Sequence, residues 1–151
     1  MTTVSTAHIS TAALPARIVA GIAGGLVGGV AFGVLMQTMD MMPMIAQLIN
    51  SDSVAMGWLV HLFNSALFGA IYAVLFGRWA SRLVPAVGMG LVYGVIWWVL
   101  GALLIMPAWL GMNDMILNVG TTQWQSLMGH LIYGALLGLV YVLVRPRLQR
   151  S

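Results

Sequence analysis

Long apolar stretches alternate along this chain with short polar breaks that carry all of its charge. Residues 18–39, 53–77, 83–113 and 115–144 contain no Asp, Glu, Lys or Arg. Each can supply the roughly 20 apolar residues that an α-helix needs to cross about 30 Å of hydrocarbon. With no water in that layer to take up backbone polar groups, a segment that crosses singly satisfies them within itself, which selects helix. The pattern therefore predicts transmembrane helices at Ile18–Met36, Met56–Phe76, Pro85–Met106 and Trp124–Val144. Behind the first helix there is no polar, small-residue cleavage region, so it reads as a retained span and not as a signal peptide.

The expected fold is all-α: an integral membrane four-helix bundle in a single transmembrane domain over residues 1–151. The Thr- and Ser-rich N-terminus, about residues 1–15 and including His8, is expected to be disordered. The loops at roughly 37–55 and 107–123 are richer in turn formers, and within them "MIAQLI" and "MILNVG" are candidate short interfacial or re-entrant helices.

Composition excludes the soluble alternative, since hydrophobic residues make up 61%, charged residues 6%, and the mean hydropathy is +0.99. Charge order then sets an orientation. Arg17, Arg78, Arg82, Arg145, Arg147 and Arg150 fall on one side of the predicted spans, and Asp40, Asp52 and Asp114 on the other. The positive-inside rule places both termini in the cytoplasm, with the chain as a multi-pass protein of the bacterial cytoplasmic (inner) membrane. A pI near 10.0 from a few Arg beside helix ends implies attraction to the lipid bilayer and no nucleic acid. The absence of Cys removes disulfide and thiolate chemistry.

Two halves of the chain share a pattern. "GLVGGV" at 25–30 matches "GLVYGV" at 90–95 in five of six positions, Met42-Pro43 recurs as Met106-Pro107, and "HLFNSALFGAIY" at 61–72 recurs as "HLIYGALLGLVY" at 130–141. The bundle is therefore expected to consist of two parallel two-helix repeats, about residues 16–78 and 84–146, related by an axis along the membrane normal. Helix-packing faces are expected at Gly21, Gly25, Gly29 and Gly33, and at Gly90 and Gly94, where small residues let helix backbones approach. The partner is either a neighbouring helix or another protomer. Trp97 and Trp98 fall mid-span, and their bulk is expected to lie opposite the glycine-rich helices.

Candidate chemistry gathers near the Asp-bearing ends. His61, Ser65, Gly69 and Tyr72 fall within about 80° of arc on a helix, as do His130, Gly134, Gly138 and Tyr141. Each His thus heads a face with small residues beneath it. The plain reading is a His that donates one hydrogen bond and pins a helix end, with no cofactor. Two sharper readings are haem b between His61 and His130, using Ser65, Gly69, Gly134 and Gly138 as cofactor space, and Cu(I). The second draws on the Met-rich stretch Met36, Met39, Met41, Met42 and Met44, because thioether and imidazole are soft-metal ligands. No Glu is present and no Asp lies deep in a span, so no catalytic residue is nominated and the chain is not read as an enzyme.

The order of glycine-rich helix, loop, His-headed helix, Met-Pro and "GHLIYG" resembles a family of small four-helix bacterial inner-membrane proteins of the YagU-like kind. The resemblance is carried by His61, Pro107, Gly129, His130, Gly134 and Tyr141. It implies the topology and these residues, and no activity. The function expected is a binding or accessory component whose outward half holds a haem, a soft metal or a partner protein. The alternatives are a small transporter or channel formed by homo-oligomerisation, and a structural subunit of a larger membrane complex.

Overall fold

A computed structural model describes residues 13–148, and every regular element among them is helical. Helix α1 spans Ala13–Thr38. Helix α2, Met42–Ala46, continues as a 3-10 turn over Gln47–Ile49. Helix α3 spans Val54–Phe76, and α4 spans Leu83–Trp97. The last of these runs on through a π-helical segment, Trp98–Ile105, into α5, Met106–Trp109, and together they form the third span. After a 3-10 turn at Asn113–Met115, α6 covers Thr121–Leu148. Four continuous helical stretches are long and apolar enough to cross a membrane, at Leu14–Thr38, Val54–Phe76, Leu83–Trp109 and Thr121–Leu148.

Each stretch is longer than its apolar pattern predicts: the first and last extend through polar residues such as Arg17, Gln37, Thr121 and Arg145 that remain helical, while the second and third gain a few apolar residues, the second at one end alone. Of the N-terminal segment expected to be disordered, residues 1–12 lie outside the described range, and with them His8, whereas Ala13 to Pro15 are the first residues of α1. "MIAQLI" is helical as expected, but "MILNVG" is helical only at Met115.

The spans run up, down, up and down. Helix α1 packs closely on α3 and α6, α6 packs on α1 and α4, and the backbones of α3 and α4 stay apart. Glycine determines which pairs close up, because in lipid no hydrophobic drive joins helices and van der Waals contact between backbones must substitute. A Cβ at Gly21 would strike the Gly69 carbonyl, one at Gly25 the Ser65 carbonyl, and one at Gly29 the Ser65 side chain. Gly24 and Gly28, on the adjoining strip of α1, are pressed against the carbonyls of Leu137 and Tyr133 on α6. Gly90 and Gly94 meet Gly134 and His130 in the same manner, and Gly138 meets Ala86. The glycine stripes are therefore used inside the chain.

Those contacts recur at corresponding places. Gly25 against Ser65 is matched by Gly90 against Gly134, and Gly21 against Gly69 by Ala86 against Gly138. Tyrosine supplies the polar ties. Each of the four donates its hydroxyl to a carbonyl outside its own helix: Tyr72 to Ala86 at 2.7 Å, Tyr93 to Phe68 at 2.8 Å, Tyr133 to Ser65 at 2.8 Å and Tyr141 to Gly77 at 3.0 Å. A helical carbonyl can accept this second bond without giving up its own, so the ties leave the helices unbroken.

The mid-span tryptophans differ from expectation. Trp97 stacks on Phe68 of α3 with ring centroids 3.9 Å apart, and Trp98 stacks on Trp124 while its indole N–H donates to the Gln123 carbonyl at 2.9 Å. Neither fills space opposite α1. Trp58 does so instead, lying over Gly33, where a Cβ would collide with its ring.

Candidate functional site

Helix α3 turns its small residues, Ser65 and Gly69, toward α1, so its bulky residues are left to meet the third span. Toward the Arg-bearing end these side chains seal the gap. Tyr72 and Tyr93 pack edge to face with centroids 5.6 Å apart, Phe76 lies against both, and the two cross-helix tyrosine bonds hold the arrangement. The Phe68–Trp97 stack is the last contact of this seal. Beyond it the helices part around a cavity of about 930 Å³.

The walls are largely apolar. Leu59 and Phe63 of α3 and Ile105 and Trp109 of the third span both line the cavity and are well exposed, so they form its rim. Gly101, Ala102 and Ile105 bring the π-helical segment into the wall. A π-helix is rare, and it occurs mostly as short insertions at functional positions. Methionines roof the cavity, Met36 from the end of α1, Met41 and Met44 from the first loop, Met106 from α5, and Met112 and Met115 from the second loop. Pro107 helps to fix the second loop. It has no N–H to offer the carbonyl four residues back, and that carbonyl, of Leu103, accepts from the Leu117 N–H at 2.9 Å instead.

The polar groups lie together at the bottom. His61, Ser65, Ser126, His130 and Tyr133 line the cavity where α1 and α6 close it, and Asn64, Thr122 and Gln123 also belong to its lining. His61 is only 8% exposed, and its Nε2–H donates to the Gly29 carbonyl at 2.9 Å. Because a carbonyl can only accept, this bond puts the proton on Nε2 and leaves Nδ1 with a lone pair. In His130 the opposite nitrogen is tied, with Nδ1–H donating to the Ser126 carbonyl of its own helix at 2.8 Å, so Nε2 holds the lone pair. Each imidazole keeps one acceptor that no described residue occupies.

Phe32 of α1 stands between them. Its ring makes edge contacts with His61 at 5.4 Å and with His130 at 4.8 Å between centroids. It is seated in a notch at Gly129, where a Cβ would overlap the ring. This arrangement corrects the haem reading. Phe32 fills the space between the imidazoles, while Gly69, Gly134 and Gly138 are filled by neighbouring helix backbone and Ser65 is pressed against Gly25 and Gly29. None of the four provides room for a porphyrin.

The Met-rich stretch divides. Met36, Met41 and Met44 line the cavity, whereas Met42 is fully buried with its carbonyl against Gly57, and Met39 is not part of the lining. Met106, Met112 and Met115, near the Asp-bearing end of the third span and in the second loop, join the site as well. Phe32 and Phe68 carried no sequence signal, and Trp97 stood out by its mid-span position without its partner being evident, since these roles depend on which helix faces which. Among the described residues no group of three or more His, Cys, Asp or Glu could hold a metal ion. No family model, curated protein or solved structure matches the chain.

Proposed function

We propose that the protein is a binding or accessory component of the bacterial cytoplasmic membrane that holds a small amphiphilic molecule in the cavity between α3 and the third span. The observation that carries this reading is the cavity itself, about 930 Å³ with apolar walls and two histidine acceptors grouped at one end. That size and pattern suit a ligand with an apolar body and a hydrogen-bond donor head, since pockets of roughly 300–1,000 Å³ with a few convergent polar groups are the usual form of small-molecule sites. The rim at Leu59, Phe63, Ile105 and Trp109 lies between two spans, so an apolar ligand can enter from the bilayer without crossing water. In the expected orientation, with both termini cytoplasmic, the cavity lies in the outer half of the membrane.

Native mass spectrometry of the detergent-purified protein tests this. The wild type carries an organic adduct, and Gly101→Phe, which fills the cavity, loses it. A Cβ at Gly101 meets only the Trp97 ring, at 3.8 Å, so the larger side chain can be accommodated there. A wild type free of adduct, or an adduct retained by the filled variant, counts against the reading.

One observation favours a second occupant. Six methionines and two imidazole lone pairs line the same cavity, a donor set suited to Cu(I). Titration with Cu(I) under reducing conditions separates the two readings: binding at one equivalent that disappears in both His61→Ala and His130→Ala supports the metal, and binding that survives either substitution removes it.

A further inference from the structure

The end opposite the cavity has a charge imbalance that the chain's side chains do not correct. Five described arginines lie there, and all three Asp lie at the other end, with no Glu anywhere. Three of the five have ordinary surroundings. Arg78 rests over the Trp79 ring at 3.6 Å, Arg147 donates to the Leu143 carbonyl at 2.7 Å, and Arg82 is exposed.

Arg17 of α1 and Arg145 of α6 differ. Both are partly buried, and in each the Nε–H is enclosed without an acceptor among the described residues. Arg145 Nη1 donates to the Gly77 carbonyl at 3.2 Å, and the Tyr141 hydroxyl donates to the same oxygen. Gly21 of α1 lies against Gly69 and Ala73 of α3, and Gly24 against Leu137 of α6, so one turn nearer the start of α1 the antiparallel register brings Arg17 level with Gly77 and Arg145 at the end of α3. The C-terminus of α3 offers about half a negative charge there. Two permanent positive charges face it, and an enclosed charged N–H without an acceptor is unfavourable.

We propose that Arg17 and Arg145 form an anion site, and that its ligand is a phosphate group. A guanidinium fork pairs with phosphate oxygens through two parallel N–H bonds, and an Nε–H is one arm of that fork. The site lies at the end of two membrane-spanning helices, where the phosphate of an anionic phospholipid headgroup is available, and free phosphate carries the same chemistry.

The test uses the full-length protein in mixed micelles and measures retention of phosphatidylglycerol against phosphatidylcholine by native mass spectrometry. The wild type should prefer the anionic lipid by about tenfold, the scale of one charge-assisted bond. The double variant Arg17→Gln/Arg145→Gln should lose the preference, and Arg82→Gln/Arg147→Gln should keep it. If the first pair cannot be purified folded, Arg17→Lys/Arg145→Lys keeps the charges and removes the forks, and it should lose most of the preference. Displacement of the lipid by millimolar inorganic phosphate would support the site and identify free phosphate as a ligand, whereas lipid that resists displacement supports the headgroup. Equal retention by the Arg17/Arg145 variants and the wild type overturns the proposal, as does equal loss in the Arg82/Arg147 variant, which would reduce the effect to surface charge.

Discussion

The face between α3 and the third span is sealed at one end and open at the other, although the same two helices form both. At the sealed end, Tyr72 and Tyr93 reach across to opposing carbonyls, and aromatic rings fill what remains. At the open end no hydrogen bond or ring contact among the described residues spans the gap, and the third span changes to a π-helix where Gly101 and Ala102 give the wall little bulk. The contrast with the glycine-packed α1–α3 and α4–α6 pairs is instructive. Glycines at 25, 90 and 134 are pressed against backbone and allow contact, whereas Gly101 touches only a ring edge and leaves space. One residue type thus serves close packing in one place and volume in another, and only the opposing surface distinguishes them.

Substitution at these glycines should break the comparison most sharply. Gly25→Leu and Gly134→Leu force a side chain into an opposing carbonyl, and each should cost about 3 kcal/mol or abolish folding. Gly101→Leu should stay within about 0.5 kcal/mol, like a surface change. Reversible unfolding in mixed micelles measures all three, and equal losses would show that Gly101 also packs. The seal comes next. Tyr93→Phe removes the bond to Phe68 while keeping the ring, and the expected loss is about 1 kcal/mol, the scale of an interhelical hydrogen bond in a membrane. Increased quenching of Trp97 fluorescence by a lipid-soluble quencher should accompany it, and unchanged quenching would mean that the rings alone close the gap.

The two histidines allow a finer test. His61 ties α3 to α1 through Gly29, whereas His130 bonds within its own helix. His61→Ala should therefore destabilise the bundle by about 1 kcal/mol more than His130→Ala, a difference set by one inter-helix bond. Equal effects would show that the tie to Gly29 contributes little. Smallest of all, Gln37→Ala removes the acceptor of the Trp58 indole bond, 3.1 Å long and near the first loop, while leaving the ring over Gly33, and should cost about 0.5 kcal/mol.

The spans were legible because transfer to hydrocarbon imposes a length and a composition on any crossing helix. The glycine stripes of α1 and α4 were legible for a related reason, since only small residues permit close approach in lipid. Which surface each stripe meets was not legible. Gly21 and Gly25 meet α3 and Gly24 meets α6, a division set by rotation of α1 in the finished bundle. The histidines stood out by recurrence, but Phe32, twenty-nine residues before His61 in the chain, stands between them and removes the haem reading. The π-helical segment was hidden because its residues, WVLGALLI, are as apolar as the α-helix before them. Periodicity reports burial, and a segment that is apolar all round has none to report.

The central claim is that the open end of this face receives an apolar ligand, and Trp97 at its boundary can report on it. A short-chain amphiphile brominated along its tail, titrated into the protein in mixed micelles, should quench a saturable part of the tryptophan emission. That part should shrink in Trp97→Phe to the share contributed by Trp109 at the rim, and should be absent in Gly101→Phe. Quenching that rises linearly without saturation, or a saturable part that persists in Gly101→Phe, would contradict the account.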